Sequence, residues 1–375
     1  MKLFCCQKCS EYQRCERKWV RGEKGAPQLC CEGCPLYKCC LEGIAGGKGL
    51  DIGTAFVKSA QGIEGNIELK ILRNAFFEIE YTDFSKKIVD NSNIKYIVKD
   101  DKLYIVGDEA LEFANMFNKE TRRPLAKGVV SPTEKEAIPM MELLMKSVIG
   151  KPSYEGETIY FSVPGEPVDA DFNLLYHIKM MEGFLKVLGY TPKPINEGQA
   201  VILSELAQEG FTGMGISFGG GMVNICLSFM SVPVFKFSVA KAGDWIDQQV
   251  AMAMHETVSR VSALKESALD LSKQEGLTKI ERALSIYYNH LIEYVIENIK
   301  QEFNKEKIES RLTKPISIVL SGGTSLPNGF IDRFRQVLER LIFPVAVSEV
   351  RMAAQPLNSV AKGALIAAQT EESKV

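Results

Sequence analysis

Glycine turns able to wrap a phosphate recur at three places in the chain. Leu50-Asp51-Ile52-Gly53-Thr54 belongs to a run, residues 49–60, that reads as a strand, a tight turn and a second strand. Residues 213–229, with Gly219-Gly220-Gly221 at their centre, read the same way, and the apolar run 316–321 leads into Gly322-Gly323-Thr324. Phosphate oxygens are held by convergent backbone N–H groups, and glycine lets the backbone approach closely and take positive φ. A single hairpin of this kind is commonly structural. Two of them about 160 residues apart, followed by a strand ending in Gly-Gly, predict a phosphate clamp built from both halves of the chain. There is no G-x4-G-K-[ST] loop and no G-x-G-x2-G opening a helix after a strand; Gly46-Gly47-Lys48-Gly49 falls short of either.

Thiolates form a second chemical cluster. Nine of the ten cysteines precede residue 41, and Cys5-Cys6-x2-Cys9-x2-Tyr12-x2-Cys15 recurs as Cys30-Cys31-x2-Cys34-x2-Tyr37-x2-Cys40, an offset of 25 residues. In a reducing compartment such a cluster reads as a metal site rather than a disulfide framework. Paired C-x2-C hooks complete a tetrahedral zinc site, for which Cys6, Cys9, Cys31 and Cys34 are the most economical set. Cys15 and Cys40 can instead give each repeat three thiolates, or a shared cluster. An iron–sulfur cluster is the competing chemistry, but C-x2-C-x5-C is wider than its usual three-ligand run, which favours zinc. Residues 1–42 hold too little apolar core to fold unaided, so bound metal would replace it. The tenth, Cys226, reads as a buried core thiol.

The elements that must position these groups follow from periodicity. A chain of 375 residues suits two or three subdomains and hence a cleft between lobes. From Gly49 onward strand and helix signals alternate, which predicts an α/β architecture. Residues 158–163 are a short apolar strand; 172–188 place Leu175, Ile178, Met181, Leu185 and Leu188 on one helical stripe, stopped by Gly189 and Pro192. Phe330, Phe334, Val337, Leu338, Leu341 and Ile342 make another amphipathic helix, and 256–312 is a long charged helical region. Gly43, Gly46, Gly47 and Gly49 read as a flexible hinge behind the cysteine module. His177, His255 and His290 are scattered and read as surface or satisfied side chains.

Composition excludes several classes. Hydrophobic residues at 46% and charged residues at 25% fit a globular chain, and a net charge of −2 gives no general attraction to nucleic acid or anionic lipid. No apolar run approaches the roughly 18 residues that span a bilayer, which points to the cytoplasm.

The three turns carry a resemblance. Leu50 to Thr54 resembles the first phosphate motif of the actin/Hsp70/sugar-kinase superfamily, Gly219-Gly220-Gly221 the second, and Val319-Leu320-Ser321-Gly322-Gly323-Thr324 the adenosine motif. Asn196-Glu197-Gly198-Gln199-Ala200 and Gln355 to Ala364 look like its two connecting segments. Within it, Gly107 to Ala110, Pro124 to Val130 and Leu264-Lys265 are similar to stretches of bacterial actin-like proteins of the MreB type. The resemblance covers residues 49–368. It implies a two-lobed actin-like ATPase fold, a duplicated ribonuclease-H-like plan: a metal-stabilised module at 1–42, lobe I at 43–200 completed by 353–375, and lobe II at 201–352.

It further implies ATP and Mg²⁺ in the cleft, with Asp51 organising the cation and Glu197 positioning the attacking water. Gly53, Thr54, Ser217, Gly219, Gly220 and Gly221 would face the phosphates, and Lys265, Gly322, Gly323 and Thr324 the nucleoside. One departure matters. The second motif usually reads Asp-x-Gly-Gly-Gly-Thr-x-Asp, whereas this chain has Ser217-Phe218-Gly219-Gly220-Gly221-Met222-Val223-Asn224. The expected function is therefore nucleotide-dependent self-assembly or scaffolding with weak or absent hydrolysis, the cysteine module recruiting a protein partner. The alternative is an enzyme-type member: an Hsp70-like or kinase-type protein, or an ATP-dependent activator linked to an iron–sulfur centre.

Overall fold

The computed structural model describes residues 44–372 apart from 64, 93, 118, 172–173 and 307–313. The cysteine repeats, and with them Cys6, Cys9, Cys15, Cys31, Cys34 and Cys40, lie outside the described residues.

The chain opens with antiparallel strands β1 (Ile44–Ile52), β2 (Phe56–Ile63) and β3 (Asn66–Arg73). An insertion follows: β4 (Phe76–Glu80), α1 (Asp83–Asn91), β5 (Tyr96–Lys99), β6 (Lys102–Val106), α2 (Asp108–Met116) and the hairpin β7 (Leu125–Ala126) and β8 (Val129–Val130). Then α3 (Ala137–Ile149), β9 (Thr158–Val163), α4 (Leu174–Val187), β10 (Thr191–Asn196) and α5 (Glu197–Glu205) complete the first half. The second half runs β11 (Gly213–Phe218), β12 (Val223–Phe229), β13 (Val232–Val239), α6 (Gly243–Met254), α7 (Val258–Ser267), α8 (Lys279–Glu306), β14 (Ile316–Ser321), α9 (Phe330–Arg340), β15 (Val347–Met352) and α10 (Ser359–Glu372).

The two sheets share one plan. The first orders its strands β10-β9-β1-β2-β3 and the second β15-β14-β11-β12-β13. In each, three consecutive antiparallel strands are extended by two parallel ones beside the first strand. Parallel strands are covered on both faces, and Ile316–Ser321 is accordingly buried at every position. Each sheet has its own apolar core, around Phe161 and Met140 in the first half and around Phe218, Tyr288 and Phe334 in the second. A third cluster joins them where α5 meets α10, with Ala200, Val201, Ile202, Val360 and Ala364. Cys226 belongs to it and is fully buried, its thiol pushed up to about 11 by desolvation.

Five sequence expectations need correction. Gly46, Gly47 and Gly49 are not a hinge but part of β1: a Cβ at Gly49 would lie 2.1 Å from Ala361 O and one at Gly47 2.9 Å from Ala368 Cβ, so these two let α10 press against the strand. The helix over 174–187 buries Leu174, His177, Met181 and Leu185, while Leu175 is 65% exposed. His177 is buried, and neither ring nitrogen has a hydrogen-bond partner, so it is neither surface nor satisfied. The charged region 256–312 is interrupted between α7 and α8, and Ile342 lies beyond the end of α9, 82% exposed.

Candidate functional site

The three glycine turns meet in one place. Gly53 N donates to Phe56 O at 3.0 Å in the β1–β2 turn, and Gly219 N donates to Met222 O at 3.0 Å in the β11–β12 turn, the same closure in each half. The two turns then lie against each other: a Cβ at Gly221 would fall 2.3 Å from Thr54 Oγ1 and 2.5 Å from Gly128 N. Thr54 Oγ1 itself accepts from Gly128 N at 3.1 Å, tying the turn to the β7–β8 hairpin. The third turn closes from the side, where Thr324 Oγ1 donates to Gly219 O at 2.7 Å. Gly322, at φ +95°, approaches so closely that a Cβ would lie 2.2 Å from Phe218 O. Between the turns is a cavity of about 410 Å³, in the range of small-molecule sites. Asp51, Gly53, Thr54, Glu197, Ser217, Gly219, Gly220, Gly221, Lys265, Gly322, Gly323 and Thr324 all line it.

Its floor is set by strand register. Asp51 pairs across the sheet with Lys58 of β2, and Ser217 pairs with Asn224 of β12. Lys58 Nζ donates to Asp51 Oδ2 at 2.7 Å, with both residues buried. Ser162 Oγ of β9 donates to Asp51 Oδ1 at 3.1 Å. Ser217 Oγ donates to Glu197 Oε2 at 2.9 Å, and Asn224 Oδ1 accepts from Gly165 N at 2.9 Å. Glu197 opens α5, behind Asn196, whose side chain caps the helix by accepting from Gln199 N at 3.2 Å. Burial first, and then the negative charge of Asp51, push the Glu197 carboxyl up to about 7.

The other end of the cavity is polar and enclosed. Lys265 Nζ donates to Asp247 Oδ2 at 2.7 Å and to Gly243 O at 3.0 Å. Asp247 is 1% exposed; its Oδ1 and the Tyr288 hydroxyl are both buried without a partner. Desolvation raises both groups above their ordinary ranges. Both residues line the cavity, so their orphaned polar atoms suit the hydrogen-bonding edges of a ligand. Outward, the cavity continues into a wider recess of about 1230 Å³ between the insertion and α6–α7.

Sequence reasoning missed Lys58, Asp247 and Tyr288. Lys58 sits seven residues after Asp51 with nothing unusual around it. For Asp247 the available signal was Gly243-Asp244 followed three residues later by a second acid.

A cation held chiefly by protein fits this floor poorly. Asp51 is already paired with Lys58 and accepts from Ser162, burial raises the Glu197 carboxyl beside it, and Ser217 and Asn224 are neutral. Among the described residues no group of three or more His, Cys, Asp and Glu could hold a metal ion, and no helix is long and apolar enough to cross a membrane.

The comparisons agree with this architecture. The MamK double helical filament superposes with a TM-score of 0.67 at 19% identity, covering 86% of this chain and 98% of MamK. MreB5 of Spiroplasma citri bound to ADP gives 0.59 at 16% identity, covering 88% of this chain and 97% of that one. EutJ, the ethanolamine utilization protein from Carboxydothermus hydrogenoformans, gives 0.51 at 14%, covering 86% and 89%. At these identities the likeness establishes the fold, which is actin-like and two-lobed. No curated protein sequence matches the chain. The Volactin family model matches residues 47–368, nearly all of the chain behind the cysteine repeats, and the chain belongs to that family.

Proposed function

We propose that this chain is a cytoplasmic, ATP-binding actin-like protein whose nucleotide state governs assembly with further copies of itself, with slow or absent hydrolysis. The observation that carries the reading is the convergence of three glycine turns from both halves on one cavity of about 410 Å³. Nucleotide and assembly are each found among the fold's neighbours: MreB5 is bound to ADP, and MamK is a double helical filament.

In this reading the residues divide the labour. Thr54, Gly220 and Gly221, in turns closed by the N–H groups of Gly53 and Gly219, offer backbone N–H groups to phosphate oxygens from both lobes, so a bound triphosphate bridges them and favours closure. Lys58 adds a positive charge at the floor. Lys265, Asp247 and Tyr288 face the nucleoside, with Gly322 and Gly323 keeping the chain flat beneath it. Glu197 orients water near the terminal phosphate and accepts its proton when ionised. Mg²⁺ accompanying the phosphates would supply further charge neutralisation, and Asp51 is the residue that would hold its water shell. Neutral Ser217 and Asn224 favour binding without efficient turnover.

The cysteine repeats we read as a zinc module that docks a partner; elemental analysis showing iron in place of zinc would redirect this to the activator alternative. Sedimentation with and without ATP and Mg²⁺, alongside a binding isotherm, tests the main reading. Binding accompanied by nucleotide-dependent pelleting is expected; a chain that neither retains ATP nor pellets would overturn it.

A further inference from the structure

We infer that Lys58 supplies in this cleft much of the positive charge that a divalent cation ordinarily brings to a triphosphate, so that nucleotide binding depends only weakly on the cation. The inference rests on the reading of the cavity as a nucleotide site.

The two hairpins provide the argument, because they are structural duplicates with different charges. In the first, Asp51 faces Lys58 across the strands; at the matching places in the second, Ser217 faces Asn224. The four positions beneath the turns therefore sum to no net fixed charge. Mg²⁺ keeps most of its water and is usually anchored through one or two carboxylates. Here Asp51 is the one carboxylate among those four positions and already accepts from Lys58 at 2.7 Å and Ser162 at 3.1 Å, while Glu197, the other carboxyl of the floor, accepts from Ser217 at 2.9 Å. A hydrated cation anchored there would set a second positive centre beside Lys58 on the same carboxylate. An incoming phosphate meets no such repulsion, since an ammonium has three donors and can serve Asp51 and a phosphate oxygen together. Lys58 lines the cavity while being only 8% exposed, so its charge acts with little screening by water.

The test is the affinity for ATP in Mg²⁺ and in EDTA, measured by calorimetry on the full-length protein. The native chain should lose no more than about tenfold in EDTA, a difference of about 1.4 kcal/mol. Lys58→Met should lose at least tenfold more in EDTA than in Mg²⁺, by the same scale, and Lys58→Arg should restore the native pattern. Ser217→Asp, which returns an acid to the second hairpin, should make binding strongly dependent on Mg²⁺. Binding of the native chain in Mg²⁺ alone, or a Lys58→Met defect equal in both buffers, overturns the inference. Absence of binding in both buffers overturns the nucleotide reading itself, which separates the two failures. The native and Ser217→Asp arms decide the matter even if Lys58→Met fails to fold.

Discussion

Arg123 Nη1 donates to Asp244 Oδ1 at 2.9 Å, and this ion pair joins the insertion of the first half to the first turn of α6 in the second. Asp244 N also donates to Gly220 O at 2.8 Å, so the pair is one bond away from the second glycine turn. Arg73 makes a parallel link outside it, reaching Glu266 at 3.3 Å and Asp108 at 2.7 Å. Charge as well as packing thus ties the two halves together beside the cavity.

Ion pairs this exposed contribute about 0.2–1 kcal/mol each and weaken with salt. Arg123→Ala should therefore release bound ATP roughly two- to fivefold faster on that scale. Added salt should accelerate release from the native chain. A stopped-flow chase with unlabelled ATP measures both, and a rate indifferent to both would show that closure rests on packing alone.

Glycines of opposite character give a matched pair. A Cβ at Gly363 of α10 would lie 1.8 Å from Ala200 O of α5, backbone against backbone, whereas one at Gly183 of α4 would meet nothing within 4 Å. Gly363→Ala should cost about 1–3 kcal/mol or more through forced separation of the helices. Gly183→Ala should gain about 0.5–1 kcal/mol by helix propensity. Thermal melts of the two variants should move in opposite directions, and a common direction would refute the packing account.

What the sequence disclosed and what it hid divide along a physical line. Gly53, Gly219 to Gly221, Gly322 and Gly323 were legible because tight turns whose backbones must approach one another closely tolerate little else, wherever the rest of the chain goes. Lys58 was hidden because its role comes from register, and a lysine on a strand has no local mark of the residue opposite. Gly47 and Gly49 misled for a related reason: close approach of α10, more than 300 residues away, gives the same residue type as a flexible joint. The stripe on α4 slipped because His177 was counted as polar, while the fold buries it beside Met181 and Leu185. Ile342 continued a periodic pattern that the backbone abandons at φ +48°.

His177 makes stability sensitive to acid. Burial without a partner lowers its pKa from 6.5 to about 4. The unfolded chain then binds more protons between those values, so stability is intact above about pH 6.5 and declines as pH falls toward 4. The loss amounts to roughly 2–3 kcal/mol. His177→Leu should flatten the dependence of melting temperature on pH in that window. An unchanged acid limb would place the sensitivity in another group.

Glu197 acts in the opposite sense. Its carboxyl is raised from 4.5 to about 7 by burial and by Asp51, so the folded chain binds the extra proton in that window and stability falls as pH rises through it. Glu197→Gln removes the buried charge and keeps an acceptor for the Ser217 hydroxyl, so it should melt higher than the native chain above neutrality and alike near pH 4.5. Chemistry runs the other way, because only the ionised carboxylate can take a proton from water. Whatever slow hydrolysis the native chain performs should rise with pH through about 7 and be lost in the variant, with ATP affinity nearly unchanged. A carboxylate that merely braces the floor would give the stability effect without the rate profile. Phosphate release followed across pH, beside melts of the same samples, separates the two roles.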